Sequence, residues 1–150
     1  MWCLLLCGAV RGKFDSQTYT ALREAFIQTH AYVLAAGATS GATAIVALLI
    51  GKKLYVANAG DARGVKYGRE TGAVRLSIDH RAGDDVEAQR IRKAGGFVSD
   101  DDRVCGVLAV ARAIGTRALD RRCVGSWRQC ITMGQCFRCL WDILTVCARR

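Results

Sequence analysis

Thr43 to Asp61 reads TAIVALLI (43–50), GKK (51–53), LYVANA (54–59), then Gly60-Asp61. The first eight residues are a continuous apolar run rich in β-branched side chains. The run is short and bounded by glycines, so it predicts a fully buried strand rather than a helix. Gly51-Lys52-Lys53 turns the chain, and Leu54 to Ala59 predicts a second strand. Two strands joined so tightly pair antiparallel.

The pattern continues on both sides. A third strand is predicted around Arg63 to Tyr67, then a loop from Gly68 to Gly72. Val74, Leu76 and Ile78 alternate with Arg75 and Ser77, as in a half-buried strand. Upstream, Phe14 to Ala36 predicts a helix that Asp15 or Ser16 can cap. Its apolar face is Leu22, Ala25, Phe26, Thr29 and Val33. His30 sits beside that face and reads as a surface or packing residue. Downstream, Asp84 to Ala94 predicts a second helix. Asp84 and Glu87 form a capping arrangement, Arg92 and Lys93 fill the last turn, and Gly95-Gly96 stops it. Phe97-Val98 and Val104 to Val110 are further strand candidates. No internal repeat is present.

Composition bounds the function. The chain has 150 residues, 51% of them hydrophobic, enough for one domain with a real core. No stretch is long and apolar enough to span a membrane. Met1 to Val10 is apolar, but no basic residue precedes it, and a buried strand is a better reading than a secretory signal. Net charge is +9 and unevenly spread. Residues 1–120 carry 16 basic and 12 acidic side chains; residues 121–150 carry 6 and 1. Five of the eight cysteines also fall in 121–150. The expected division is therefore a domain over 14–120 and a basic, Cys-rich tail over 121–150. The basic residues form no dense run and only three aromatic partners are at hand, so nucleic-acid binding ranks last. A Cys136-x-x-Cys139 pair with Cys130 and Cys147 suggests a zinc site, but the spacing is irregular and a packing segment is the better reading.

Three acidic positions are candidates for chemistry. Asp61 follows Gly60 at a strand end, where glycine leaves room for close approach to a cation, and carboxylate oxygen suits Mg²⁺ or Mn²⁺. A lone Gly-Asp pair is more often a turn. Asp79-His80 is read as a strand-end turn, and Asp100-Asp101-Asp102 as a solvated loop.

The ordered phrases say more than any single residue. They are Gly41-Ala42-Thr43-Ala44; Ala57-Asn58-Ala59-Gly60-Asp61-Ala62-Arg63; Asp79-His80; Ala94-Gly95-Gly96; and Leu108-Ala109-Val110-Ala111-Arg112-Ala113-Ile114-Gly115. In this order and spacing they resemble the protein phosphatase 2C family. The resemblance implies an α+β fold, a partial α/β/β/α sandwich of two antiparallel sheets flanked by helices. It implies a metal-dependent phosphatase acting on phosphoserine and phosphothreonine of phosphorylated proteins, with Mg²⁺ or Mn²⁺ as cofactor. It carries Asp61 over as a ligand of an additional, weaker metal, and marks Arg63, Asp79 and His80 as structural. The family's early Asp-Gly-His, later Asp-Gly and final Asp-Asn phrases have no counterpart here. Ala111 and Thr116 stand where the family has a serine and an acid. No catalytic residue is therefore assigned. The expectation is an incomplete and inactive phosphatase in this isolated chain, monomeric and intracellular (cytoplasmic or nuclear). The alternative is a non-catalytic phosphatase-like scaffold or regulator. Glycine-rich loops and an intracellular setting predict free thiols.

Overall fold

The computed structural model describes residues 16–116 and the backbone of three short segments at 132–133, 137–138 and 143–147. Helix α1 spans Ser16–Ala35. Strands β1 (Ala44–Ile50) and β2 (Lys53–Ala59) pair antiparallel from Ala44↔Ala59 to Ile50↔Lys53, as their tight connection dictates. Strands β3 (Arg63–Gly68) and β4 (Gly72–Arg75) form a second antiparallel pair. Helix α2 spans Asp85–Lys93. Strands β5 (Thr132–Met133) and β6 (Phe137–Arg138) pair with β2, and β7 (Ile143–Cys147) pairs with β3. The result is an α+β arrangement of two antiparallel sheets with helices.

Period-two alternation divides the hairpin's side chains between two cores. Tyr55, Ala57 and Ala59 pack with Leu22 and Phe26 of α1, and Ala44, Val46, Leu48 and Ile50 complete that layer. The Tyr19 ring meets the buried Tyr55 ring edge-on at 5.5 Å. The opposite face, Leu54 and Val56 with Ile45 and Ala47, packs against Leu76. A third cluster of Ala82, Ile91, Val104 and Ala111 seats α2 on the loops after β4.

Several expectations change. β1 is only partly buried, and Leu49 is 61% exposed, because β1 lies at the edge of its sheet. Among the described residues the most buried strand is β2, buried from Leu54 to Ala59, which has neighbours on both sides. The strand predicted through Ile78 ends at Arg75. Leu76 N–H still donates to the Gly64 carbonyl, but Gly64 N–H donates to Ser77 Oγ at 2.9 Å, so a side chain takes the place of the next ladder partner. Val104 to Val110 is not a strand either: positive φ at Cys105 and Gly106 folds it into a turn, with Val104 N–H donating to the Leu108 carbonyl. Gly95 does end α2 at φ 87°, with Gly96 N–H returning to the Ile91 carbonyl. The Asp84 side chain makes no capping bond. Cys105, expected as a free thiol, is disulfide-bonded. The predicted cap of α1 and the cysteines of the tail lie outside the described side chains. No helix among the described residues is long and apolar enough to cross a membrane.

Candidate functional site

Asp61 lies just past the end of β2, and Asp79 and His80 lie beside it. Gly60 has φ 103°, which swings the chain from one sheet to the other and leaves Asp61 half-buried in the turn before β3. This turn is held from inside. Asn58 Nδ2 donates to the carbonyls of Gly60 (3.1 Å) and Ile78 (2.8 Å). His80 Nδ1 accepts the Gly60 N–H at 3.0 Å, and His80 N–H donates back to the Gly60 carbonyl at 3.0 Å. The Ala111 N–H then closes on the His80 carbonyl. Asp79-His80 therefore does more than end a strand: its imidazole fixes the backbone that presents Asp61.

The two buried carboxylates nearby are both engaged by arginine. Asp79 accepts from Arg63 Nε at 3.2 Å and from Arg63 Nη2, from Arg75 Nη2 at 2.7 Å and from Arg81 Nη2 at 3.3 Å. The hydrogen bond from Arg63 holds its carboxyl below the ordinary range, aided by the charges of Arg75, Arg63 and Arg81 and opposed by burial. Glu87, read from sequence as half of a cap, instead accepts from Arg90 Nε at 3.0 Å, Arg112 Nε at 2.9 Å and Arg112 Nη2. Burial alone would raise its pKa, but Arg112 and then Arg90 outweigh that and hold it low. Arg90 also donates to the Ala111 carbonyl at 2.8 Å. The i,i+3 spacing of Glu87 and Arg90 was visible in the sequence; the reach to Arg112, 25 residues on, was not. His30 is buried, and its Nδ1 accepts the Gly115 N–H at 3.0 Å, tying α1 to the last described loop. Asp100 to Asp102 form an exposed loop braced by Ser99 and Arg103.

The described residues do not fit a divalent metal on their own. Among them no three His, Cys, Asp or Glu side chains converge on a point that could hold a metal ion. Asp79 and Glu87 are bound by guanidinium groups, which leaves Asp61 without a second carboxylate.

Burial of the His80 ring pushes its pKa down to about 4, and the charge of Arg112 adds to the effect. The neutral ring's contribution is fully present above the unfolded value of 6.5. It is lost as pH falls from 6.5 towards 4, because the unfolded chain takes up the proton first. Stability is expected to drop by about 2 kcal/mol between pH 6.5 and pH 5. Urea midpoints at the two pH values check this, and the drop is expected to shrink in His80→Gln. Asp79 and Glu87, both held low, stay ionised in this window.

The protein phosphatase 2C family model matches residues 9–131. A probable protein phosphatase of Drosophila melanogaster is 55% identical over 82 residues, which cover 55% of this chain and 12% of the fly protein. Probable protein phosphatase 2C 55 of Oryza sativa subsp. japonica is 44% identical over 118 residues, 73% of this chain and 30% of the rice protein. A crystal structure of a phosphatase from a pathogenic strain of Toxoplasma gondii superposes with a TM-score of 0.70 at 20% identity, covering 97% of this chain and 62% of that one, a likeness of fold. The chain thus spans less than a third of the length of these two curated relatives.

Proposed function

Because the chain belongs to the protein phosphatase 2C family, we propose that it is part of a protein serine/threonine phosphatase that hydrolyses phosphoserine and phosphothreonine. The observation that carries this reading is the family match over residues 9–131, which includes the Gly60-Asp61 turn locked by His80. The reaction class calls for divalent ions, Mg²⁺ or Mn²⁺, to polarise the attacking water. Asp61 is proposed as one contributor to a weaker ion site. The described residues of this chain supply the scaffold: Gly60 sets the turn, His80 holds it, and the Glu87–Arg112 pair braces the loop beside it. By itself the chain is expected to be catalytically silent, because the carboxylates it places nearby are committed to arginine. Its substrates are phosphorylated proteins, and it acts as a monomer.

The test is Mn²⁺-dependent phosphate release from a phosphothreonine peptide by the purified chain. No release above a chelator control is expected, while an intact 2C-type phosphatase assayed beside it turns over. Chelator-sensitive release would overturn the silent reading. Mn²⁺ binding by the same chain is expected to weaken in Asp61→Ala, and unchanged binding would remove Asp61 from the site. A second reading, a non-catalytic scaffold or regulator, is favoured by the commitment of Asp79 and Glu87 to ion pairs. It predicts a phosphoprotein partner and no turnover in any longer form of the protein.

A further inference from the structure

Asp79 is 5% exposed, yet three arginines from separate parts of the chain share it: Arg63 on β3, Arg75 at the end of β4, and Arg81 in the following loop. Three guanidinium groups share one carboxylate, and Arg63 makes the closest contact to it. The side chains of Arg63, Arg75 and Arg81 keep 34%, 48% and 46% of their surface in solvent. Their inner edges are fixed by Asp79, and Arg75 Nε also donates to the Ser77 carbonyl at 2.6 Å. Guanidinium groups anchored on one side are pre-organised on the other, so a ligand meeting them costs little further side-chain ordering. Arg75 Nη1 and Arg81 Nε and Nη1 have no protein partner among the described residues. Planar N–H donors from two neighbouring guanidinium groups match a tetrahedral dianion better than a carboxylate, which carries half the charge.

We propose that the outer faces of Arg75 and Arg81, with Arg63 beside them on Asp79, form a binding site for a phosphomonoester dianion. The site needs no metal and does not depend on whether the chain is catalytic. The phosphate can be free or carried on a peptide. Exposed Ile78, which sits in sequence between the Ser77 and Asp79 anchors and is 67% exposed, offers apolar contact to a peptide.

The experiment is fluorescence anisotropy of a labelled phosphothreonine peptide with the 150-residue chain in EDTA at low salt. The unphosphorylated peptide and competition by inorganic phosphate are run beside it. Binding is expected only for the phosphorylated peptide, with competition by inorganic phosphate. Tighter binding of the peptide than of inorganic phosphate identifies a protein-borne source, and equal binding a free one. Arg75→Ala/Arg81→Ala is expected to lose about tenfold or more in affinity. A charge-matched control, Lys52→Ala/Arg69→Ala, removes two positive charges from exposed turns and is expected to stay within about twofold at the same salt. Arg75→Lys/Arg81→Lys keeps the charge, loses the fork, and is expected to fall between. Arg63 remains to pair Asp79 in each variant, and a thermal melt confirms folding. Equal binding of the two peptides, or equal losses in the alanine pair and the control, would overturn the proposal. Because EDTA removes any metal-dependent turnover, failure here is distinct from failure of the phosphatase assay.

Discussion

Glu87→Ala is expected to destabilise the protein by about 3–5 kcal/mol, the usual cost of removing one partner from a buried ion pair. Glu87 is buried, and the side chains of Arg90 and Arg112 that it binds are each only 12% exposed. Without it, two guanidinium groups lose the buried carboxylate they share. Arg90 would keep the Ala111 carbonyl, while the three hydrogen bonds to Glu87 disappear. Domains of this size hold about 5–15 kcal/mol in all, so a large share of the margin is at stake. In a thermal melt the midpoint should fall by roughly 10 °C. Glu87→Gln keeps the shape and part of the hydrogen bonding, and should fall by less. A Glu87→Ala melt within a degree or two of the parent would mean that water reaches these arginines and the pair is not buried in solution.

Gly60→Ala should cost about 3 kcal/mol or more, from two separable sources. At φ 103° the backbone lies where a Cβ is disfavoured by about 1–2 kcal/mol. An added Cβ would also come within 2.6 Å of Thr43 Cβ and 3.1 Å of the Arg112 carbonyl. Urea titration of Gly60→Ala alone and of Gly60→Ala/Thr43→Gly separates the two. After allowing for Thr43→Gly itself, the double variant should recover the collision with Thr43 and keep the backbone penalty. If Gly60→Ala unfolds at the parent's midpoint, the turn is not held as described.

The sheets were legible in the sequence because their signals are local. The glycine-bounded run from Thr43 to Ile50 and the tight turn after it fix the first hairpin without any distant partner. What was misread depends on distance. Nothing in TAIVALLI says that β1 takes the edge and β2 the centre, because β2's second neighbours come from residues 132–138. Ser77 looks like one more polar residue in an alternating run, yet its hydroxyl intercepts Gly64 N–H and ends the ladder. Glu87 follows Asp84 at capping distance, but its carboxylate goes to an arginine 25 residues away. Asp61 and His80 are separate candidates in the sequence; their connection runs through the Gly60 backbone, which no side-chain motif reveals. The strands in the Cys-rich tail were missed because segments of two and five residues carry almost no periodicity.

The pairing of β3 with β7, Arg63 opposite Cys147, has a consequence for how this chain is made. Both hairpins can form once a ribosome has released residues through Arg75. The second neighbours of β2 and β3 are not synthesised until residue 132 and beyond. At about 5–20 residues per second, the nascent chain carries two open strand edges for roughly 3–11 s. During that interval β2, the most buried strand among the described residues, is open along one edge to pairing with another chain.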